Sequence, residues 1–280
     1  MSARTSRKSA PGTPVPDGRH HLLIPLSVLT SALLLYGAHV SFGVVLVVAG
    51  GFLGLYLRAP SMVRRSREAF DKDALAIRAA KTGDRATRLA SRLEQAWALR
   101  LFGAPADVHA RRAMIAEEAK RPREAREHYR RALAAWEGEL PLATLVGYAN
   151  ASYLGGDDVE AVVHFQKVLD RGAMLPRLHV RLAHATLRAG LPAESVGAWL
   201  DAADRDAEDE DARREVSLVR ALHEAKRGEL GRARALLDAV PGEALPELAD
   251  EVREALAASE SGTPAGAISA DSTPPRPPTA

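Results

Sequence analysis

The stretch Leu140 to Asp206 contains one pattern written twice, LPLATLVGYANASYLGGDDVEAVVHFQKVLDRGA at 140–173 and MLPRLHVRLAHATLRAGLPAESVGAWLDAADRD at 174–206. Gly156 recurs as Gly190 and Ala149 as Ala183, and Phe165 is matched by Trp199, all at a step of 34 residues. Small residues return at small positions and large apolar residues at large positions. Self-similarity at this period is typical of stacked pairs of helices, each pair joined by a short turn.

The first copy resembles the tetratricopeptide repeat (TPR) in the kind of residue at four positions. That family has a small residue in its first helix, a Gly-Asp turn, a small residue early in its second helix and an aromatic residue four positions later. Here these are Ala149, Gly156-Asp157, Ala161 and Phe165. The resemblance implies an all-α fold, an α-solenoid of helical hairpins that acts by binding other molecules.

Further copies flank the central pair. Ala113, Ala125 and Tyr129 precede Ala149, Ala161 and Phe165 by 36 residues, with a basic Pro turn, Lys120-Arg121-Pro122, in place of Gly-Asp. A last copy has its turn at Arg227-Gly228-Glu229. We therefore predict a TPR-like α-solenoid over 73–258, clearest over 107–240.

The solenoid follows an apolar segment, 22–57, that contains no formal charge. As one helix these residues would measure roughly 54 Å at 1.5 Å per residue, which exceeds the hydrocarbon core of about 30 Å. Two short transmembrane spans, about 22–36 and 40–57, fit better, with a reversal near Tyr36 to His39. Gly50 and Gly54 have the spacing that permits close contact between helices, with the first span as the expected partner.

Basic residues flank both ends of this hairpin. Residues 1–21 carry a charge of +3 and residues 58–69 another +3, which leaves −4 for 70–280 because the whole chain carries +2. The positive-inside rule then places both termini in the cytoplasm, as in a protein of a bacterial inner membrane. A cleaved signal peptide and a single anchor with an external domain are the alternatives.

Three remaining segments are low in complexity or basic. Residues 1–21 are predicted to be a disordered basic tail, residues 58–72 a basic juxtamembrane linker close to lipid head groups, and residues 259–280 a disordered Pro-rich tail. The chain has no cysteine, which excludes disulfides, thiol catalysis and zinc sites built on Cys. Its basic residues gather beside the apolar segment and not on a folded face, so a nucleic-acid partner is not expected.

The sequence carries no recognisable catalytic motif. It lacks a Gly-rich phosphate loop at a strand-to-helix junction, His-Glu-x-x-His and Gly-x-Ser-x-Gly. His179 and His184 are five residues apart, off a common helical stripe, so a metal site from this pair is not expected. We predict that the protein is not an enzyme and has no cofactor and no metal.

The resemblance to TPR proteins also implies a concave groove lined by the first helix of each pair. The implied protein-binding positions are Met114, Val146, Asn150, Tyr153, Val180, His184, Leu187, Leu218 and Leu222. In one TPR subgroup, cations at these positions grip a C-terminal carboxylate. Val180 and His184 stand where those cations belong, so an apolar helix or an extended apolar peptide is the better partner. The alternative for each residue is a place in the core between repeats.

Two functions follow as expectations. In the first, a membrane-anchored, non-enzymatic scaffold or assembly factor holds another protein in its groove, while lipids surround its anchor. In the second, the chain is an integral subunit of a membrane complex, and the transmembrane hairpin itself makes the main contact.

Overall fold

A computed structural model describes residues 23–37, 42–80, 83–173, 175–241 and 245–261, and all regular structure in these ranges is α-helical. The all-α prediction is confirmed. The first seven helices are α1 (Leu23–Gly37), α2 (Phe42–Ala79), α3 (Arg85–Gln95), α4 (Trp97–Phe102), α5 (Pro105–Glu118), α6 (Pro122–Ala134) and α7 (Leu142–Leu154). The other six are α8 (Asp158–Asp170), α9 (Leu178–Arg188), α10 (Val196–Asp206), α11 (Glu210–Lys226), α12 (Leu230–Asp238) and α13 (Pro246–Glu260).

The helices form two compact units, Met1–Gly155 and Gly156–Ala280. The division falls at the turn inside the predicted repeat 142–172. In the first unit α7 packs on α6 and α5, and in the second unit α8 packs on α9.

In the first unit α1 and α2 pack side by side at the N-terminal end of the described chain. Of the helices described, only α2 contains a segment long and apolar enough to cross a membrane, within Gly43–Ala79. α1 is a shorter apolar helix of 15 residues. The bounds of α1 are close to those of the first predicted leg, and α2 begins close to the start of the second, although the reversal at residues 38–41 lies outside the described residues.

α2 does not end where its apolar part ends. It is a single helix of 38 residues that continues through the predicted linker, 58–72, and through the segment predicted to be the first helix of the solenoid. Pro60 lies inside it and cannot donate a hydrogen bond to the preceding turn, which makes this turn the weakest in the helix. The predicted contact of Gly50 and Gly54 with the first leg is not seen, because a Cβ built at either glycine meets no described atom within 4 Å.

The distal part of α2 is built into the first unit. Phe70 and Ala74 are buried in a core cluster with Leu89 and Leu93 of α3 and Leu99 of α4. Full burial of a Leu or Phe side chain stabilises the fold by about 1.5–3 kcal/mol. The basic segment therefore forms part of the core on one face of α2.

The next cluster holds the residues that the repeat pattern aligned. Ala113 of α5 and Ala125 of α6 are fully buried where the two helices cross, and Tyr129 packs beside Tyr148 and Ala151 of α7. Small residues at a crossing let two helix backbones approach closely.

The second unit has one large core shared by α9 to α13. Ala183, Leu187, Leu200 and Leu222 lie in it, and α13 contributes Val252 and Leu256. The aligned residues Ala149, Ala161 and Phe165 are also buried. The last described helix, α13, thus contributes directly to the core.

Four helices end in the same hydrogen-bonded cap. After α5, α8, α9 and α11, the residue in the left-handed conformation donates its N–H across three positions and the next residue donates across five. This is the Schellman motif, which satisfies the last carbonyls of a helix. The left-handed residue is Gly172, Gly190 or Gly228 at three of these caps, and Lys120 at the cap after α5. The predicted N-terminal tail, 1–21, lies outside the described residues, as does most of the predicted C-terminal tail, 259–280. The remaining gaps between the described ranges are outside them too.

Candidate protein-binding surface

Four of the predicted groove residues belong to the first unit. Val146, Asn150 and Tyr153 are half-buried and share one face of α7 at i, i+4 and i+7. Met114 of α5 is also half-buried and packs against the core cluster around Phe70. Seven of the other ten residues of α7 are buried, so this stripe is the accessible part of the helix between its exposed ends.

The C-terminal end of α7 adjoins an open crevice. Leu154 is 65% exposed, and with Gly155 it lines a crevice of about 440 Å³. The opposite wall is the turn before α6, formed by Arg121, Pro122, Arg123 and Glu124. An exposed leucine beside two guanidinium groups favours an apolar ligand that also carries negative charge.

The five predicted groove residues of the second unit are buried. Val180, His184, Leu187, Leu218 and Leu222 are between 0% and 6% exposed. Their burial does not fit an open groove at these positions. The physical reason is that α9 and α11 pack against each other and that α13 packs on α11, so the side chains fill the core between helices.

Polar contacts hold α13 in this position. His184 Nε2 lies 2.9 Å from Glu251 Oε2 of α13, and Ser259 Oγ donates to the carbonyl oxygen of Ala225 at 3.2 Å. Burial alone would raise the pKa of Glu251, but the hydrogen bond from His184, together with Arg188 and Lys226, lowers it overall. The carboxylate is therefore kept ionised against three nitrogen-bearing side chains.

Another ion pair closes the start of α8. Asp158 accepts from Arg188 of α9 at 3.1 Å. Burial raises the pKa of Asp158 although Arg188 opposes this change. Lys226 Nζ donates to the carbonyl oxygen of Leu187 at 2.6 Å, which satisfies the end of α9.

The first unit contains a half-buried carboxyl group on the helix that carries Met114. Tyr129 donates to Glu117 Oε2 at 3.0 Å, and Arg78 of α2 lies 3.7 Å from the same oxygen. Burial raises the pKa of Glu117 from 4.5 to about 7, although Tyr129 and Arg78 lower it. A Cβ at Gly147 of α7 would lie 2.3 Å from the Tyr129 ring, so only glycine leaves room for this phenol.

No protein-family model, curated protein or solved structure matches the chain. The case for a function therefore comes from its own residues. Within the described ranges, no group of three His, Cys, Asp or Glu side chains is placed to hold a metal ion. His179 and His184 contact different carboxylates, Asp206 at 3.1 Å and Glu251 at 2.9 Å.

The sequence pattern did not reveal two features of these surfaces. One is the packing of α13 on α11, because an amphipathic end helix can pack in several ways. The other is a pair of exposed apolar side chains on α4, Trp97 and Leu101. The signal for the second was available, since a tryptophan and a leucine four residues apart share a helical face.

Proposed function

We propose that this chain is a non-enzymatic, membrane-anchored scaffold or assembly factor of the TPR type, whose helical hairpins stack as an α-solenoid and hold another protein. α1 and α2 form the membrane hairpin, and the helical units lie on the cytoplasmic side. The basic residues on both sides of the hairpin support this orientation.

The observation that carries the proposal is the continuity of α2. The same helix contains the apolar segment and, besides the contact of Arg78 with Glu117 described above, makes four ion pairs that join it to α3 and α5. These pairs are Arg67–Asp107 at 3.3 Å, Asp71–Arg111 at 2.8 Å, Asp73–Arg92 at 3.3 Å and Arg78–Glu118 at 2.8 Å. An apolar helix fixed in this way to a folded body supports a role as an anchor.

The α7 stripe, defined as Val146, Asn150 and Tyr153, is the surface proposed to hold the partner. It combines an aliphatic, an amide and an aromatic side chain on one helix face, and it leads to the crevice beside Leu154. Aromatic anchors surrounded by polar groups commonly dominate protein interfaces. The partner chemistry that fits is an apolar helix or extended peptide with acidic flanks.

The test replaces Tyr153 by Ala in the full-length chain, in detergent-solubilised membranes. A loss of about 2 kcal/mol at an interface anchor corresponds to roughly 30-fold weaker capture of the partner. Photocrosslinking from position 153 identifies the partner that is being measured. The matched control is Val163→Ala, which shortens a 44% exposed apolar side chain of α8 outside the stripe.

Unchanged capture by Tyr153→Ala, with helical content intact, would contradict the role of the stripe. A Tyr153→Ala protein that fails to fold would instead place the residue in the core. Val146→Ala then keeps the proposal testable, because this half-buried residue lies on the same face.

One observation favours the second function, in which the hairpin of an integral subunit makes the main contact. Gly50, Gly51 and Gly54 are open to close approach on α2. Small residues at this spacing permit helix contact in a bilayer. Under this function Gly50→Leu abolishes association while Tyr153→Ala has no effect, and the reverse result supports the scaffold.

A further inference from the structure

The short helix α4 exposes two large apolar side chains while it buries their neighbours. Ala98 and Leu99 are in the core, whereas Trp97 is 50% and Leu101 58% exposed. Residues four apart lie on the same helical face, so the two side chains form one patch. The Trp97 ring also contacts Phe102 edge to face, with centroids 6.3 Å apart.

The position of α4 along α2 relates this patch to the end of the proposed membrane span. A span of about 20 residues is needed to cross the hydrocarbon core, and counted from Gly43 it ends near Met62. α4 packs against α2, and the cluster that contains Leu99 and Phe70 extends to Val63. Val63 is the next residue after that counted end, so the cluster in which α4 packs reaches the stretch of α2 that leaves the bilayer.

The exposed basic residues of α4 and of the adjoining part of α2 match an anionic surface. Arg64 and Arg65 are exposed on α2 just beyond Met62, and Arg100 is exposed between Trp97 and Leu101. Glu68 pairs with Arg64 at 3.7 Å. Basic residues beside a span are attracted to acidic phospholipids, and tryptophan is enriched at the level of the head groups.

We propose that α4 is an interfacial helix that docks on an anionic phospholipid leaflet. Trp97 and Leu101 insert at the boundary between head groups and acyl chains, and Arg64, Arg65 and Arg100 bind lipid phosphates. This contact holds the first helical unit against the membrane. The inference rests on the proposed anchoring through α2, because only that anchor brings α4 to the bilayer surface.

The test uses the full-length chain with Trp136→Phe and Trp199→Phe, which leaves Trp97 as the only tryptophan. The protein is reconstituted into vesicles of phosphatidylcholine and phosphatidylglycerol, with phosphatidylcholine brominated near the glycerol end of its acyl chains. Because bromine quenches indole only on close approach, we expect Trp97 fluorescence to fall about twofold or more. The matched control keeps only Trp199, which is half-buried against the core of the second unit, and is expected to be unquenched.

Flotation of the same vesicles, followed by alkaline extraction, distinguishes the interfacial role of α4 from the anchoring through α2. If the chain floats and resists extraction while Trp97 is unquenched, the interfacial role of α4 is wrong and the anchor stands. If the chain does not float, the anchor fails and the inference fails with it. Trp97 shielded from aqueous acrylamide but not quenched by bromine would mean that protein covers the patch, which also overturns the proposal.

A second variant tests the basic residues. In the chain with Trp97 as its only tryptophan, Arg64→Gln and Arg65→Gln together are expected to reduce bromine quenching at least about twofold in anionic vesicles. Equal quenching with and without these arginines would overturn the lipid-phosphate contacts. Leu101→Gln, which retains helix propensity, is expected to reduce quenching in the same direction.

Discussion

Lys120 occupies the left-handed position of the cap after α5, where glycine is the usual residue. Its φ of 56° lies in the left-handed region, where the other three Schellman caps use glycine. The left-handed conformation destabilises the folded state by about 1–2 kcal/mol for a residue with a Cβ. Glycine avoids this strain, but its greater freedom in the unfolded chain offsets part of the gain in stability.

We therefore expect Lys120→Gly to stabilise the protein by about 0.5–1 kcal/mol, measured by chemical unfolding of the full chain in detergent. The matched reverse change, Gly228→Lys, places a side chain at a φ of 82° in the cap after α11 and is expected to destabilise by about 1 kcal/mol. A loss of stability in Lys120→Gly would mean that the lysine side chain makes a contact worth more than the strain.

Glu117 titrates near neutral pH. Its pKa is about 7 in the folded chain, against 4.5 for an ordinary glutamate. Between these values the folded protein holds a proton that the unfolded chain has lost. The stability from this group is therefore fully present below about pH 4.5 and is lost as the pH rises through 7.

Glu117→Gln keeps an uncharged acceptor for Tyr129 and removes the titration. At pH 8 we expect the variant to be roughly 2–3 kcal/mol more stable than the natural protein, with no difference at pH 4. Unfolding free energies over this pH range measure the effect. Glu127→Gln is the control: Arg130 and Arg131 lower the pKa of this exposed carboxyl group, so it stays charged from pH 5 to 8. If the unfolding free energies of Glu117→Gln and of the natural protein changed in parallel with pH, the assignment of this titration to Glu117 would be contradicted.

At the scale of elements, the attachment of α2 to α5 depends on a buried arginine. Arg111 is 6% exposed, and it binds Asp71 of α2 at 2.8 Å and Asp107 at 3.3 Å. Its guanidinium also lies 5.5 Å from the centroid of the Phe70 ring. Asp107 is itself 7% exposed, so the loss of Arg111 leaves a buried carboxylate with Arg67 as its remaining ion-pair partner.

We expect Arg111→Met to destabilise the full chain by about 3 kcal/mol, measured by unfolding in detergent. Arg64→Met, which breaks an exposed pair on the same helix, is expected to change stability by less than about 1 kcal/mol. The double variant with Asp107→Asn is expected to recover part of the loss because no buried carboxylate remains. Strictly additive losses would show that the two residues are not coupled.

At the scale of the molecule, the sequence predicted the helical class and the turns. Gly156, Gly190 and Gly228 have positive φ values of 81°, 64° and 82°, as turn residues of a repeated hairpin require. Ala113, Ala125 and Ala183 are fully buried, as small residues at helix crossings are. These features repeat in the sequence, and a repeated signal is strong.

The binding surface was less predictable. A groove position and a core position both favour a leucine, so Leu187, Leu218 and Leu222 fitted either role until the packing of α9, α11 and α13 was known. The extent of α2 was hidden for a different reason. Its distal part alternates charge and apolar residues over 64–79, and this pattern also suits a linker followed by a new helix.

If α2 anchors the chain as proposed, its unbroken course makes the first unit responsive to the bilayer. Under the proposed anchoring, the part of α2 beyond Met62 extends about 26 Å at 1.5 Å per residue, so a tilt of about 10° displaces its far end by about 4–5 Å. Because α3, α4 and α5 pack along this part of α2, they move together with it. Pro60 is the position at which bending of the helix costs least. A change in membrane thickness or lateral pressure would then displace these helices and any protein bound to them.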